Sequence, residues 1–256
     1  MGEAMIASLL ANEVCLPADI CVSDVSSERL NYLKQTFGVN VTENSADAAS
    51  GKDIIVIAVK PQNIEGVFSD LNGCLKPEQM IVSIAAGIRL SILSQSLHHN
   101  RIVRVMPNTP AQIGSGMSGW TATDEVSTQQ RDWVKSILGT MGKEIYFEDE
   151  KYLDMVTAVS GSGPAYFFLM AEAMIEAAKA IGASQEKAEE LVSQTMLGAA
   201  NLIQQSDKTP GELRQNVTSR GGTTERALSV LNEGGFSELI RKAIEAAYQR
   251  SKEIGN

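Results

Sequence analysis

The texture of the chain changes near residue 150, and this constrains the fold more than any other feature. Ahead of that point, short β-branched apolar runs alternate with stretches of helical spacing. Residues 53–59 (DIIVIAV) form one continuous run, the pattern of a strand buried on both faces of a parallel sheet. Residues 80–85 and 101–105 repeat it, and residues 19–23 make a shorter strand. Between them, residues 2–10, 26–37, 64–71 and 90–97 read as helices, with Gly38 where the second would stop. Repeated βα units with short connections imply an open, right-handed parallel sheet, whose ligands bind beyond the carboxyl ends of the strands.

After about residue 155 the strands cease. Residues 164–181, 186–205, 224–232 and 239–254 carry apolar side chains at helical spacing. Thr209-Pro210-Gly211-Glu212 supplies a capping-box pair with proline at the first helical position. Small residues line several faces (Gly198, Ala199, Ala200; Ala243, Ala246, Ala247) and allow helices to approach closely. A region this rich in apolar stripes is expected to bury part of its surface against another subunit; the alternative is a self-contained bundle. The division is placed at residues 1–152 and 153–256.

Composition narrows the function classes. With 31 acidic against 22 basic residues the formal charge is −9, which argues against a nucleic-acid or anionic-membrane surface. No apolar run approaches the roughly 20 residues that span a bilayer, and no signal-peptide pattern opens the chain. Cys15, Cys21 and Cys74 are odd in number and in no CxxC pattern, so neither a disulfide framework nor a cysteine metal site is expected, and a reducing cytosol suits them. His98 and His99 are the only histidines, which removes a Ser-His-Asp triad and His-rich zinc sites. No metal is expected.

Four regions have the residue types that chemistry needs at element ends. Lys60 and Pro61 follow the first long strand, where proline stops the strand and the lysine projects a cation at the sheet edge. Residues 83–87 (SIAAG) are small enough for a flat ligand to approach the backbone. Two prolines flank Asn108 and present its amide on a rigid loop. The glycine-rich stretches 160–164 and 219–224 each open into a helix, whose first N–H groups and dipole make an anion site. Plain N-capping by Thr223 or Thr224 is the competing explanation there.

These segments are AVKPQ (58–62), SIAAG (83–87), RVMPNTPA (104–111), SGSGPAY (160–166), TPGEL (209–213) and NVTSRGGTTERAL (216–228). Their identity and order over essentially the whole chain resemble Δ1-pyrroline-5-carboxylate reductases. The resemblance implies a Rossmann-type N-terminal domain and an all-α C-terminal dimerisation domain. It also implies reduction of 1-pyrroline-5-carboxylate to L-proline in the cytoplasm, by a homodimer or a decamer built from dimers. On the family pattern, Ala58, Val59, Lys60, Pro61, Ile84, Ala85 and Ala86 cradle the cofactor, joined by Met1, Gly2, Asn44 on the adenosine side, and Asn108. The substrate carboxylate falls on Gly221, Gly222, Thr223 and Thr224, with Asn216 and Ser219 beside it and Thr224 as the catalytic contact.

NADPH is the expected cofactor, with NAD as the alternative. Ser26, Ser27 and Arg29 suit a 2′-phosphate, whereas the acidic residues among them suit a free ribose hydroxyl. Such reductases begin with a strand followed by G-x-G-N-M-G-x-A, while this sequence opens at the final Met-Gly of that pattern. The domain is therefore expected to lack its first strand, and the sequence to be a shortened form of a longer chain. Two other readings follow: a catalytically impaired homologue acting as a dimerising or binding protein, and a related dehydrogenase or imine reductase for another acid.

Overall fold

In a computed structural model describing residues 1–255, the chain divides into two compact units: Met1–Ser162 with residues from Ala247 onward, and Gly163–Ala246. The first unit thus runs past the division placed at 152/153 and takes back the end of the chain.

Its elements are α1 (Gly2–Ala11), β1 (Cys21–Ser23), α2 (Ser27–Phe37), β2 (Asn40–Thr42), α3 (Ser45–Ala49), β3 (Ile54–Ile57), α4 (Ile64–Leu71) and β4 (Met80–Ser83). There follow α5 (Leu90–Leu97), β5 (Ile102–Met106), β6 (Gly116–Ala122), α6 (Thr128–Gly139), β7 (Gly142–Tyr146) and α7 (Tyr152–Val156). Strands β3 to β7 form one sheet in sequence order. The first three run parallel, β6 runs antiparallel to β5, and β7 parallel to β6. The strands read from the sequence are parallel as expected, and the antiparallel β6 is an addition to them. The connection through residues 107–115 holds only a short 3₁₀ turn, and a parallel crossover needs a dozen residues or more.

Strand β4 is buried throughout, and its side chains alternate between two apolar layers. Met80 and Val82 join Trp120, Leu138 and Met141 on one face. Ile81 joins Phe68, Leu71, Leu93 and Leu97 on the other.

Strands β1 and β2 pair in parallel as a separate two-stranded sheet. Among the described residues no strand lies between β1 and β3. Their edges line a cleft of about 840 Å³, with Cys21, Val22 and Ser23 on one wall and Ile54, Ile55, Val56 and Ile57 on another. Burial of the 53–59 run on both faces is therefore corrected: β3 is an edge strand, and Val56 is 37% exposed.

The second unit consists of α8 (Gly163–Ala180), α9 (Gln185–Gln205), α10 (Pro210–Asn216), α11 (Thr223–Glu233) and the start of α12 (Phe236–Ile254). Thr209 and Glu212 make the expected capping box, with the Glu212 N–H donating to Thr209 Oγ1 at 3.3 Å and the Thr209 N–H to Glu212 Oε2 at 2.7 Å. From residue 163 to 246 only Ala188 and Val192 are buried hydrophobic residues, whereas Phe167, Phe168 and Leu169 are each more than 60% exposed. No helix among the described residues is long and apolar enough to cross a membrane.

Candidate active site

The parallel register places the carboxyl ends of β3, β4 and β5 on one edge, with Ile57 opposite Ser83 and Ser83 opposite Arg104. The loop after β3 exposes Ala58 and Lys60, half-buries Val59, and turns at Pro61, where the Asn63 N–H donates to the Lys60 carbonyl at 2.9 Å. Beside it, the Ile84 N–H donates to the Ile57 carbonyl at 3.0 Å and the Ala85 N–H to Ser83 Oγ at 3.3 Å. Ala85 is buried and Ala86 exposed. Gly87 turns the middle of this loop at φ 77°, and a Cβ there would stand 2.5 Å from Ile254 Cγ2, so both backbone and space require glycine.

Helix α1 starts at the same edge. Met1 is its N-cap, and a Cβ on Gly2 would lie 3.1 Å from Ala58 Cβ, so the helix start abuts the β3 loop. No side chain caps α1, which leaves first-turn N–H groups for an anion. An uncapped helix start against Ala58, with the small-residue 84–87 loop following the neighbouring strand β4, fits the pyrophosphate and flat rings of a dinucleotide. Met1 and Gly2 thus meet the start of the 58–61 loop, and the 84–86 loop leaves the adjacent strand end.

Polar residues toward β1 and β2 are bound locally. Ser26 caps α2 by accepting from the Arg29 N–H at 3.2 Å, and Ser27 Oγ donates to Glu43 at 2.6 Å. Asn44 caps α3, its Oδ1 accepting from Ala46 N at 2.8 Å and Asp47 N at 3.1 Å. Arg29 pairs with Glu3 in the first turn of α1 and lies 5.0 Å over the Tyr32 ring. The Arg29 guanidinium, chiefly by hydrogen bonding, holds the Glu3 carboxyl below its ordinary value. That pairing offsets an acidic residue that would otherwise repel a phosphate at the start of α1. Ser23, Asp24 and Arg29 all line the cleft.

Asn108 uses its amide within the protein. Nδ2 donates to the Ser160 carbonyl and hydroxyl, each at 3.2 Å, and Oδ1 accepts from the Met117 N–H at 2.8 Å. The glycine-rich stretch it meets is no loop: Thr157–Gly161 form a π-helical turn, with the Ser162 N–H donating to Thr157 O at 2.8 Å. Such a turn inside a helix is a frequent companion of functional sites. Gly161 lets the Met106 side chain lie close, its Cε standing 2.6 Å from where a Cβ would be.

In the second unit, Asn216 ends α10, and residues 217–222 turn back into α11. The Gly222 N–H donates to the Ser219 carbonyl at 3.0 Å, and a Cβ on Gly222 would overlap Ser219 Oγ. Gly221 has φ 72° and donates its N–H to Glu225 Oε2 at 2.7 Å. The N-cap is Gly222, without a side-chain cap, so neither Thr223 nor Thr224 plays the capping role that competed with an anion site. Asn216, Ser219, Gly221, Gly222, Thr223 and Thr224 lie within one turn and its flanks.

The residues not singled out in the sequence are those that brace this edge. Arg104, buried in β5, donates to Glu150 Oε1 at 2.7 Å, and Asp154 accepts from Ser251 Oγ at 2.7 Å. No local pattern marks either pair, since the partners are 46 and 97 residues apart.

Comparison with known proteins supplies the remaining observation. Residues 150–254 match the family model described as pyrroline-5-carboxylate reductase dimerisation, and residues 1–87 match one described as NADP oxidoreductase, coenzyme F420-dependent. A pyrroline-5-carboxylate reductase of Pseudomonas aeruginosa is 43% identical over 255 residues, covering 99% of this chain and 93% of that protein. One from Arabidopsis thaliana is 37% identical, with 99% and 92% covered. Among solved structures, a pyrroline-5-carboxylate reductase of Coxiella burnetii superposes with a TM-score of 0.90 at 36% identity, covering 100% of this chain and 95% of that one. Pyrroline carboxylate reductase of Plasmodium falciparum, solved with NADP bound, matches with a TM-score of 0.90 at 30% identity and the same coverage. A prephenate dehydrogenase at 16% identity and a TM-score of 0.52 shares the fold alone. These full-length relatives support the reductase reading and not that of an impaired homologue serving as a binding protein. With a Rossmann-type sheet, a helical dimerisation region and this end-to-end similarity, the chain belongs to the pyrroline-5-carboxylate reductase family.

Proposed function

We propose that this chain reduces 1-pyrroline-5-carboxylate to L-proline with NADPH, as a cytoplasmic homodimer or a decamer built from dimers. The observation that carries this reading is the 43% identity to a reductase of that name over 99% of the chain. The exposed apolar side chains of α8 and α9 support self-association, because that unit buries only two hydrophobic residues of its own.

When bound, NADPH would supply the hydride that reduces the ring C=N bond. The protein's residues orient and polarise. Met1, Gly2, Ala58, Val59, Lys60, Pro61, Ile84, Ala85 and Ala86 hold the dinucleotide at the sheet edge, with Asn44 toward its adenosine end. Asn108 serves that site by locking its loop against Met117 and Ser160. The turn Ser219–Thr224, with Asn216, anchors the substrate carboxylate on the start of α11. Thr224 is the catalytic contact, its hydroxyl meeting the region of the ring nitrogen. A cyclic imine is basic enough to arrive protonated, so the nitrogen brings its own proton, and a protein with two histidines lacks nothing the step requires.

Steady-state reduction of 1-pyrroline-5-carboxylate with NADPH, with product identified as proline, tests the activity. NADH in place of NADPH tests the cofactor. Thr224→Val keeps the shape and removes the hydroxyl. We expect it to lower kcat/KM by roughly tenfold or more, the cost of losing about one polar contact of 1.4 kcal/mol in the transition state. Unchanged turnover and substrate affinity would exclude the role given to Thr224.

A further inference from the structure

We propose that Glu150 is a positioning residue for the cofactor, acting by clamping the loop between β4 and α5. The inference rests on the assignment of that loop to the dinucleotide. Glu150 lies between β7 and α7, and its Oε1 accepts two hydrogen bonds: from Arg104 Nη1 at 2.7 Å and from the Leu90 N–H at 2.8 Å. Leu90 is the first residue of α5, and Arg89 at the N-cap makes no capping hydrogen bond with its side chain. A carboxylate 60 residues away therefore satisfies the first N–H of α5 at the point where the 84–89 loop ends. Its other partner, Arg104, stands in β5 opposite Ser83, whose hydroxyl receives the Ala85 N–H where the same loop begins. One carboxylate thus joins the end of the loop to the strand beside its start.

The same short segment braces the middle of the loop. Asp154, in α7, accepts from Ser251 Oγ of α12 at 2.7 Å, and one turn later Ile254 packs against Gly87. Stability alone is a weak reason for the Arg104–Glu150 pair. The Arg104 side chain is only 7% exposed, and a buried ion pair repays its desolvation poorly when an apolar pair of similar volume can take its place. Its location at both ends of one small-residue loop is what a positioning role requires.

The test uses the full-length enzyme and NADPH itself, with titration to give Kd and steady-state kinetics to separate KM from kcat. Glu150→Gln keeps the shape but removes the charge facing Arg104. The double variant Arg104→Met/Glu150→Leu removes both charges at similar volume and protects folding. We expect both to bind NADPH roughly fivefold more weakly, equivalent to about 1 kcal/mol. The KM for 1-pyrroline-5-carboxylate should stay at the wild-type value and kcat within roughly twofold. A folded double variant that binds NADPH as wild type does would overturn the clamp and leave a purely structural ion pair. Ala86→Asp places a charge on the loop itself and serves as the control. If it weakens NADPH binding while the double variant does not, only the clamp falls. If Ala86→Asp binds NADPH normally, the loop is not a cofactor loop and the clamp is overturned with it.

Discussion

Replacing Asn108 with alanine separates a residue that builds the site from one that touches the ligand. The substitution removes two donors, to the Ser160 carbonyl and hydroxyl, and the acceptor of the Met117 N–H. Ser160 is half-buried and regains water, so those bonds cost only their net value of about 1 kcal/mol together. Met117 N–H is held in β6 beside β7 and loses its partner, at a cost of about 1–3 kcal/mol. The sum, about 2–4 kcal/mol, corresponds to a fall in Tm of about 2–4 °C per kcal/mol for a chain of this size, or roughly 6–12 °C near the middle of the range. Thermal unfolding followed by circular dichroism measures it, and NADPH titration at a temperature well below the new midpoint measures binding. Asn108→Asp should fall between alanine and wild type, because it keeps the Met117 acceptor but turns a carboxylate on the Ser160 carbonyl. A Tm within about 1 °C of wild type, together with lost NADPH binding, would refute the reasoning and make Asn108 a direct ligand.

Gly142→Ala should destabilise the first unit by about 3 kcal/mol, because Gly142 has φ 137° and a Cβ would overlap the Gly116 carbonyl; urea unfolding reads the change. The Glu3–Arg29 pair makes a pH prediction. Glu3 titrates lower in the folded protein than in the unfolded chain, so its contribution is present above the unfolded value near 4.5 and is lost as pH falls through the folded one. The Tm difference between wild type and Glu3→Gln should therefore be visible at neutral pH and shrink below pH 4.5; a constant difference would exclude the linkage. Phe168→Glu, on an exposed apolar stretch of α8, should shift the protein toward monomer in size-exclusion chromatography with light scattering, without changing the far-ultraviolet spectrum.

The legible parts of the fold are those where one physical requirement acts alone. Residues 80–83 read as a strand because both their faces are buried, which demands an unbroken apolar run. Helices 64–71 and 90–97 read correctly because each needs a single apolar stripe. Strand β6 escaped notice because its sequence, GMSGWTA, is shaped by its neighbours. Gly119 is there because a Cβ would stand 2.6 Å from Val156 Cγ2, and Gly116 because one would stand 2.7 Å from Ala111. Neither glycine announces a strand. The site divides the same way: loops rich in glycine and proline are conspicuous, but what their side chains bind is not. Asn44 and Asn108 look alike as exposed amides, yet one caps a helix and the other ties a strand to a π turn. Glu150 sits in the acidic run FEDEKY, where nothing distinguishes it from its solvated neighbours until the fold brings Leu90 and Arg104 to it.

The cleft between the two sheets also bears on what can pair with the main chain. Strands β4 and β5 have ladder partners on both sides, but β1 and β3 each turn one row of backbone donors and acceptors to that cleft. Such a row pairs with any extended segment that reaches it, with little regard for side chains. Main-chain pairing of this kind differs from the burial of apolar helix faces, because the backbone alone sets it. An extended peptide paired there should be indifferent to Phe168→Glu, and a single Pro in place of Val56 should weaken its pairing.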